Sequence, residues 1–299
     1  MKNGNIFILI PSELKSDFLG YSFLAKLAGE MLFFSKQSIS IDFQNCVLFE
    51  GNLCSVLGNI FESMIDRGNN LKFLNLKNSI LRSLSTNGFL ERFEYKFITP
   101  KYSTQSVKFQ KFNLVDEAVA KEFFDQSLFQ KAGMPLMSEA AKKAILRNIF
   151  EVCINAITHA GCEYVYCCGQ FFTGNKKPSA KISFVDLGKT ITANVSYFKQ
   201  KSFTGNDAII WALAQGNTTK AKDEPGGLGL KLLQEFILHN KGKLQFVSGN
   251  GFVEINNNKI SQFTLDYDFP GTIVTIELKL EDPNFYILTL ENEDTTNIF

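Results

Sequence analysis

The chain has 299 residues, 45% of them hydrophobic, which is enough apolar material for one large domain or two ordinary ones. Its 31 basic and 30 acidic residues leave a net charge of +1 with no long basic block, so direct nucleic-acid binding is not expected. The apolar stretch 21–34 is broken by Lys26 and Glu30, and Ile6–Ile10 is too short to span a bilayer or direct secretion, so a cytoplasmic protein without a membrane segment is expected.

In chain order, Phe7–Ile10, Ser38–Phe43 and Leu71–Leu76 read as strands, and Tyr21–Phe34, Leu53–Arg67 and Ile80–Leu84 as helices. This alternation predicts a small α/β unit with its own sheet. The polar stretch Phe97–Asn113 then reads as a connector, which puts the boundary between a first domain, 1–105, and a second, 106–299.

From Glu139 to Ala160, the residues Ile145, Ile149, Cys153, Ala156 and Ile157 recur at helical spacing. Arg147, Glu151, Asn155 and His159 are four apart and form one polar stripe on that helix, facing either a polar cavity or water. Glu163–Phe172 and Ala180–Val185 read as strands, with Asp186 at the mouth of the second and Gly188 in the turn after it. A carboxylate there can accept from an exocyclic amine, and the glycine lets a ring approach the backbone.

The polar stretch Gln215–Gly226 reads as a flap. Lys220 in it is placed to meet phosphate charge, while Lys222 reads equally as a solvated loop lysine. Gly226, Gly227, Leu228, Gly229 and Leu230 lead into an amphipathic helix, Leu228–Asn240, whose unpaired amides and positive dipole end suit a polyphosphate. No Gly-Lys-Ser/Thr follows, so this is not a P-loop. Gly271 and Thr272 open a last strand, and the tail from Glu281 to Phe299 is acidic, either disordered or docked on a partner. The six cysteines include no Cys-x-x-Cys pair and the chain has only two histidines, so reduced core or strand cysteines are expected rather than zinc or disulfides.

Taken in this order, Glu151–His159, Asp186–Gly188, Gly226–Leu230 and Gly271–Thr272 resemble the nucleotide-binding module shared by histidine kinases, gyrase-type topoisomerases, Hsp90 and MutL, the GHKL or Bergerat fold. The resemblance covers roughly residues 115–280. It implies an α/β sandwich with helices on one face of a mixed sheet, and ATP with Mg²⁺ as ligands. Asn155 would be the Mg²⁺ ligand, Glu151 the catalytic base, and His159 a neighbour of the phosphates. Asp186 would read the adenine amine beside Gly188, with Thr272 in the adenine–water network. Gly226, Gly227, Leu228, Gly229 and Leu230 would cover the phosphates under a lid carrying Lys220. Two positions depart from the family: Thr190 stands where a second glycine is usual, and Pro225 where the third motif's first glycine is. Both stiffen loops that the family keeps free, which puts turnover in more doubt than binding.

The first unit resembles a STAS domain through Ile39–Asp42, Leu71–Leu76 and Ser85-Thr86-Asn87-Gly88-Phe89. In that family a loop after a strand carries a phosphorylated serine. Here Asn87 holds the acceptor position, so either Ser85 or Thr86 takes the phosphoryl group or the switch is lost. The order of the two units resembles bacterial ATP-binding proteins with a STAS-like domain, through Phe150–His159, Ala214–Lys220 and Pro225–Leu233. Three functions stay open: an ATP-hydrolysing regulatory switch, a serine/threonine kinase of the anti-sigma type acting on a STAS partner or on Ser85 or Thr86, and a nucleotide sensor without turnover. A protein partner is expected, either a second copy in a homodimer or a STAS-type regulator.

Overall fold

A computed structural model describes residues 5–95, 105–113, 117–174, 176–214, 217 and 229–288. In the first part, β1 (Asn5–Leu9), β2 (Glu13–Leu14), α1 (Phe18–Glu30), β3 (Ser38–Asp42), β4 (Leu48–Phe49), α2 (Cys54–Asp66), β5 (Asn70–Leu74), α3 (Asn78–Thr86) and α4 (Phe89–Arg92) follow one another. The strands β1, β3 and β5 form a three-stranded parallel sheet in the order β1-β3-β5. Parallel strands need crossovers, and α1 and α2 supply them. Ile39 and Ile41 of β3 are fully buried against these helices.

The second part contains β6 (Ser106–Asn113), α5 (Glu117–Phe124), β7 (Leu136–Met137), α6 (Glu139–Thr158), β8 (Tyr164–Phe172), β9 (Ser179–Asp186), α7 (Ile191–Lys199), α8 (Gly205–Leu213), α9 (Gly229–His239), β10 (Lys243–Asn256), β11 (Lys259–Lys279) and β12 (Phe285–Tyr286). Five of its strands form a sheet in the order β10-β11-β9-β8-β6. The class is α/β as expected, but the larger sheet is antiparallel in each described pairing rather than mixed.

Side chains alternate across this sheet. One face presents Val165, Cys167, Ile182, Phe184, Phe246, Val274 and Ile276 to α5, α6 and α9. The other presents Tyr166, Cys168, Val185, Val247 and Ile273 to α1 and α2. The expected helices therefore cover one face, and the first part of the chain covers the second. Small sheet, α1 with α2, large sheet and the α5–α6–α9 layer stack in that order.

The contact between α1, α2 and the large sheet is partly polar, with a hydrogen-bonded row at its centre beside an unpartnered Asn52 Oδ1. Gln245, Thr275 and Ser183 are register partners across three strands on this face. The Tyr21 hydroxyl bonds Thr275 Oγ1 at 2.9 Å and Gln245 Oε1 at 3.0 Å. Asn52 Nδ2 donates to Ser183 Oγ at 2.7 Å and to Ser16 Oγ at 2.8 Å. Lys181 Nζ donates to Glu50 Oε1 at 2.6 Å. At the other end of the interface, Glu62 of α2 accepts from Arg92 Nε at 2.7 Å, Lys111 Nζ at 2.8 Å and Tyr166 Oη at 2.6 Å.

Four local expectations are corrected. The connector expected over 97–113 gives way to strand β6 from Ser106 onward, whose bulge between Val107 and Gln110 turns Phe109 toward Phe89 and Phe93. Ser85 and Thr86 lie in α3, not in a loop after a strand, because Ile80, Leu81, Leu84 and Ser85 form the buried face of that helix. The helix stops at Asn87 and Gly88, the latter left-handed at φ 79°. Gly271 and Thr272 do not open a strand; they sit inside the 21-residue β11, where pairing with β9 begins. The long β10–β11 hairpin turns at Asn257 and Asn258, both at positive φ (49° and 61°), the geometry of a type I′ turn. Part of the acidic tail is ordered on the protein itself: β12 pairs with β7, and Tyr286 packs edge-on against Phe236 with ring centroids 5.0 Å apart.

Candidate functional site

α6 starts at Ser138, whose side chain accepts from Ala141 N at 3.0 Å, with Glu139 in the first turn. Its apolar face, Ile145, Ile149, Val152 and Cys153, is buried against the sheet. The polar stripe runs from an exposed Arg147 to half-buried Glu151, Asn155 and His159. The stripe therefore approaches the protein interior toward the end of the helix.

That end is tied down by backbone and side-chain bonds to the segment after β9. His159 O accepts from Asn194 Nδ2 at 2.7 Å, and Ala160 O accepts from Lys189 N at 2.9 Å. Gly188 passes so close to Ala160 and Cys162 that a Cβ at this position would collide with both. The requirement for glycine here is one of space.

Asp186 continues the helix-facing row of β9 one residue-pair beyond Phe184. Its register partner on β11 is Thr272, and that of Thr272 on β10 is Ser248. Three polar residues thus replace the apolar row Phe184–Val274–Phe246 at the sheet's end. Ser248 Oγ lies 3.1 Å from Thr272 Oγ1, donates to Gly271 O at 2.8 Å, and accepts the Ile191 amide at 2.8 Å. It therefore joins the first turn of α7 to this row.

Asp186 is 4% exposed. Burial pushes its carboxyl up to about 7, against the lowering effect of hydrogen bonds from the Gly188 amide at 3.1 Å, from Cys162 and from Thr272. The Cys162 thiol lies 3.7 Å from Asp186 Oδ1, and burial, then the neighbouring carboxylate, push it up to about 12.

Of the residues singled out from the sequence, the structure brings together Asp186, Gly188 and Thr272 with the end of α6 at His159. Asn155 and Glu151 lie about one and two helical turns back along α6. α9, which begins with Gly229 and Leu230, packs along α6. Lys220, Gly226, Gly227 and Leu228 lie outside the described residues. Ser248, Cys162 and Asn194 belong to the cluster but carry no motif. Ser248 is recognisable only once the register places it opposite Thr272. A cleft of about 280 Å³ adjoins the row, lined by Thr190, Thr192, Gly249, Asp268, Phe269 and Pro270; Asp186 is not part of its wall.

Among the described residues no group of three or more His, Cys, Asp or Glu side chains converges as a metal site, and no helix is long and apolar enough to cross a membrane. Compared with known protein families and with curated proteins, the sequence matches none.

Proposed function

We propose that this chain is a Mg-ATP-binding regulatory protein of the GHKL type, acting in the bacterial cytoplasm, that hydrolyses ATP to change its contacts with a partner. The observation that supports this reading is the buried carboxylate of Asp186 at the end of a sheet row, with the Gly188 amide, Thr272 and the end of the Asn155-bearing helix around it. An apolar row that ends in a hydrogen-bonded acid suits the edge of a purine better than it suits solvent.

In this reading Asp186 accepts from the exocyclic amine of adenine, and Ser248 holds Thr272 and α7 in place around the ring. Glu151 takes the proton of a water that attacks the γ-phosphorus, the bond to the bridging oxygen breaks, and ADP and phosphate leave. Mg²⁺, when bound, neutralises phosphate charge; Asn155 is the side chain that would hold it, with phosphates and water as its other ligands.

The kinase alternative is narrowed by the placement of Ser85. This residue is 6% exposed and its hydroxyl donates to Leu81 O at 2.6 Å inside α3, so it is a poor phosphoryl acceptor. Thr86 is half-buried, its hydroxyl donating to Ser83 O at 3.2 Å, so a kinase of this kind would act on Thr86 or on a separate STAS partner. The deciding experiment incubates purified protein with γ-labelled ATP and Mg²⁺ beside Glu151→Ala and Asp186→Asn. Free labelled phosphate lost in both variants, with ATP binding lost only in Asp186→Asn, is the expected result. ATP binding undiminished in Asp186→Asn would overturn the reading of the site.

A further inference from the structure

The α7–α8 hairpin carries an aromatic and cationic surface that the nucleotide reading does not use. Its inward side is Val195, Ala208 and Ile209, all buried. Its outward side shows Tyr197 at 81% and Phe198 at 48% exposure. Phe198 packs on Trp211 of α8 with ring centroids 5.9 Å apart, and Lys199 Nζ sits 5.0 Å from the Trp211 ring and 5.8 Å from the Phe198 ring. Lys201 lies 5.9 Å from the ring of Phe203. The lysines thus order the rings while their ammonium groups remain at the surface.

Between Lys189 and Leu213 the cations are Lys189, Lys199 and Lys201, and Asp207 is the single acid. Asp207, whose carboxylate accepts from the Thr204 hydroxyl at 2.7 Å, carries one negative charge against the positive charges of Lys199 and Lys201. The patch therefore presents positive charge around exposed aromatic faces, the composition that concentrates binding energy at protein interfaces.

We propose that this surface docks an acidic segment of a partner protein, one that places a Leu or Phe side chain against Tyr197, Phe198 and Trp211 and its carboxylates against Lys199 and Lys201. Charge complementarity selects this occupant. Two lysines, Lys199 and Lys201, release too few counterions for useful affinity to a nucleic-acid backbone. A membrane surface needs a broad apolar helix face, and α7 has nine residues with Val195 turned inward. The inference does not depend on nucleotide binding, and its test is run without nucleotide.

The chain contains one tryptophan, Trp211, so intrinsic emission reports on the patch directly. Full-length protein is titrated with a Glu/Asp-rich peptide carrying one Phe and one Leu, with its Lys-for-Glu counterpart, with oligo(dT), and with phosphatidylserine/phosphatidylcholine vesicles. The acidic peptide should shift Trp211 emission saturably and the basic peptide should not. The Lys199→Glu/Lys201→Glu double variant and Tyr197→Ala should each weaken binding by about tenfold or more while circular dichroism stays unchanged. Emission unmoved by the acidic peptide, binding that survives the charge reversal, or tighter binding of oligo(dT) or vesicles would each overturn the proposal.

Discussion

Asp186 sets two demands against each other. Its folded carboxyl titrates near 7 against an ordinary value of 3.8, because burial opposes its charge. As pH rises from about 4 to about 7, the folded protein must lose a proton that the unfolded chain has already lost, so stability falls across that window and stays low above it. Asp186→Asn should therefore raise the thermal midpoint at about pH 8 and change it little at about pH 4. A midpoint lowered equally at both pH values would show that the carboxylate's hydrogen bonds outweigh its burial. Ligand binding runs the other way. In the proposed nucleotide reading an ionised Asp186 accepts from an amine more strongly than a protonated one, so ATP affinity should rise as pH rises toward 7, with proton release on binding; calorimetry in buffers of different ionisation enthalpy measures both. Gly188→Ala tests the same site by volume. Its methyl would meet Cys162 and Ala160, and should cost about 1–3 kcal/mol in urea unfolding, with part recovered when Cys162→Ala is added.

At the scale of elements, α6, β8, β9 and α9 were legible because each has a clean apolar period and a sharp boundary. What escaped has a physical reason in each case. β6 is an edge strand with a bulge, so Val107, Phe109 and Phe112 break the alternation that marks a strand. Ser85-Thr86-Asn87-Gly88 has the composition of a loop, yet Leu81 and Leu84 bury the helix before it and only the last two residues form its stop. Gly249-Asn250-Gly251 has the composition of a turn, but the strands shift register there and β10 continues to Asn256. Of the site, Asp186 and Gly188 were legible as a strand-end pair, whereas Ser248 depends on a pairing between segments far apart in sequence. Tyr21 belongs to the same class of long-range residue: α1 reads as a plain apolar helix, but its tyrosine completes a polar row on another sheet. Tyr21→Phe leaves Gln245 and Thr275 short of a partner in a buried setting and should cost about 1–3 kcal/mol. A loss below a few tenths of a kcal/mol in denaturant titration would mean that Gln245 and Thr275 re-pair without it.

For the whole molecule, the decisive arrangement is that the first part of the chain seals one face of the large sheet. Val185, Val247, Phe252, Phe269 and Ile273 share a single apolar cluster with α1, α2 and β3. Excising residues 5–95 would expose that face and strand the Gln245–Thr275–Ser183 row, so a fragment beginning at Ser106 should aggregate rather than fold. Glu62 locks the same interface. Burial opposes its charge, but hydrogen bonds from Arg92, Lys111 and Tyr166 outweigh this and hold its carboxyl below the ordinary value. The depressed value means that its contribution is present above the unfolded carboxylate range and is lost as pH falls through the folded one. Glu62→Gln leaves two cations facing a neutral amide, and because Arg92 is half exposed it should cost about 1–2 kcal/mol at neutral pH, with the difference from wild type shrinking as pH falls through the folded carboxyl's range. Because the interface is one core, urea unfolding followed by Trp211 emission on the α8 side and by far-ultraviolet circular dichroism over all helices should give coincident curves. Two separated transitions would mean that the first part of the chain folds by itself. In the proposed nucleotide reading, a switch would then act by docking and undocking that part.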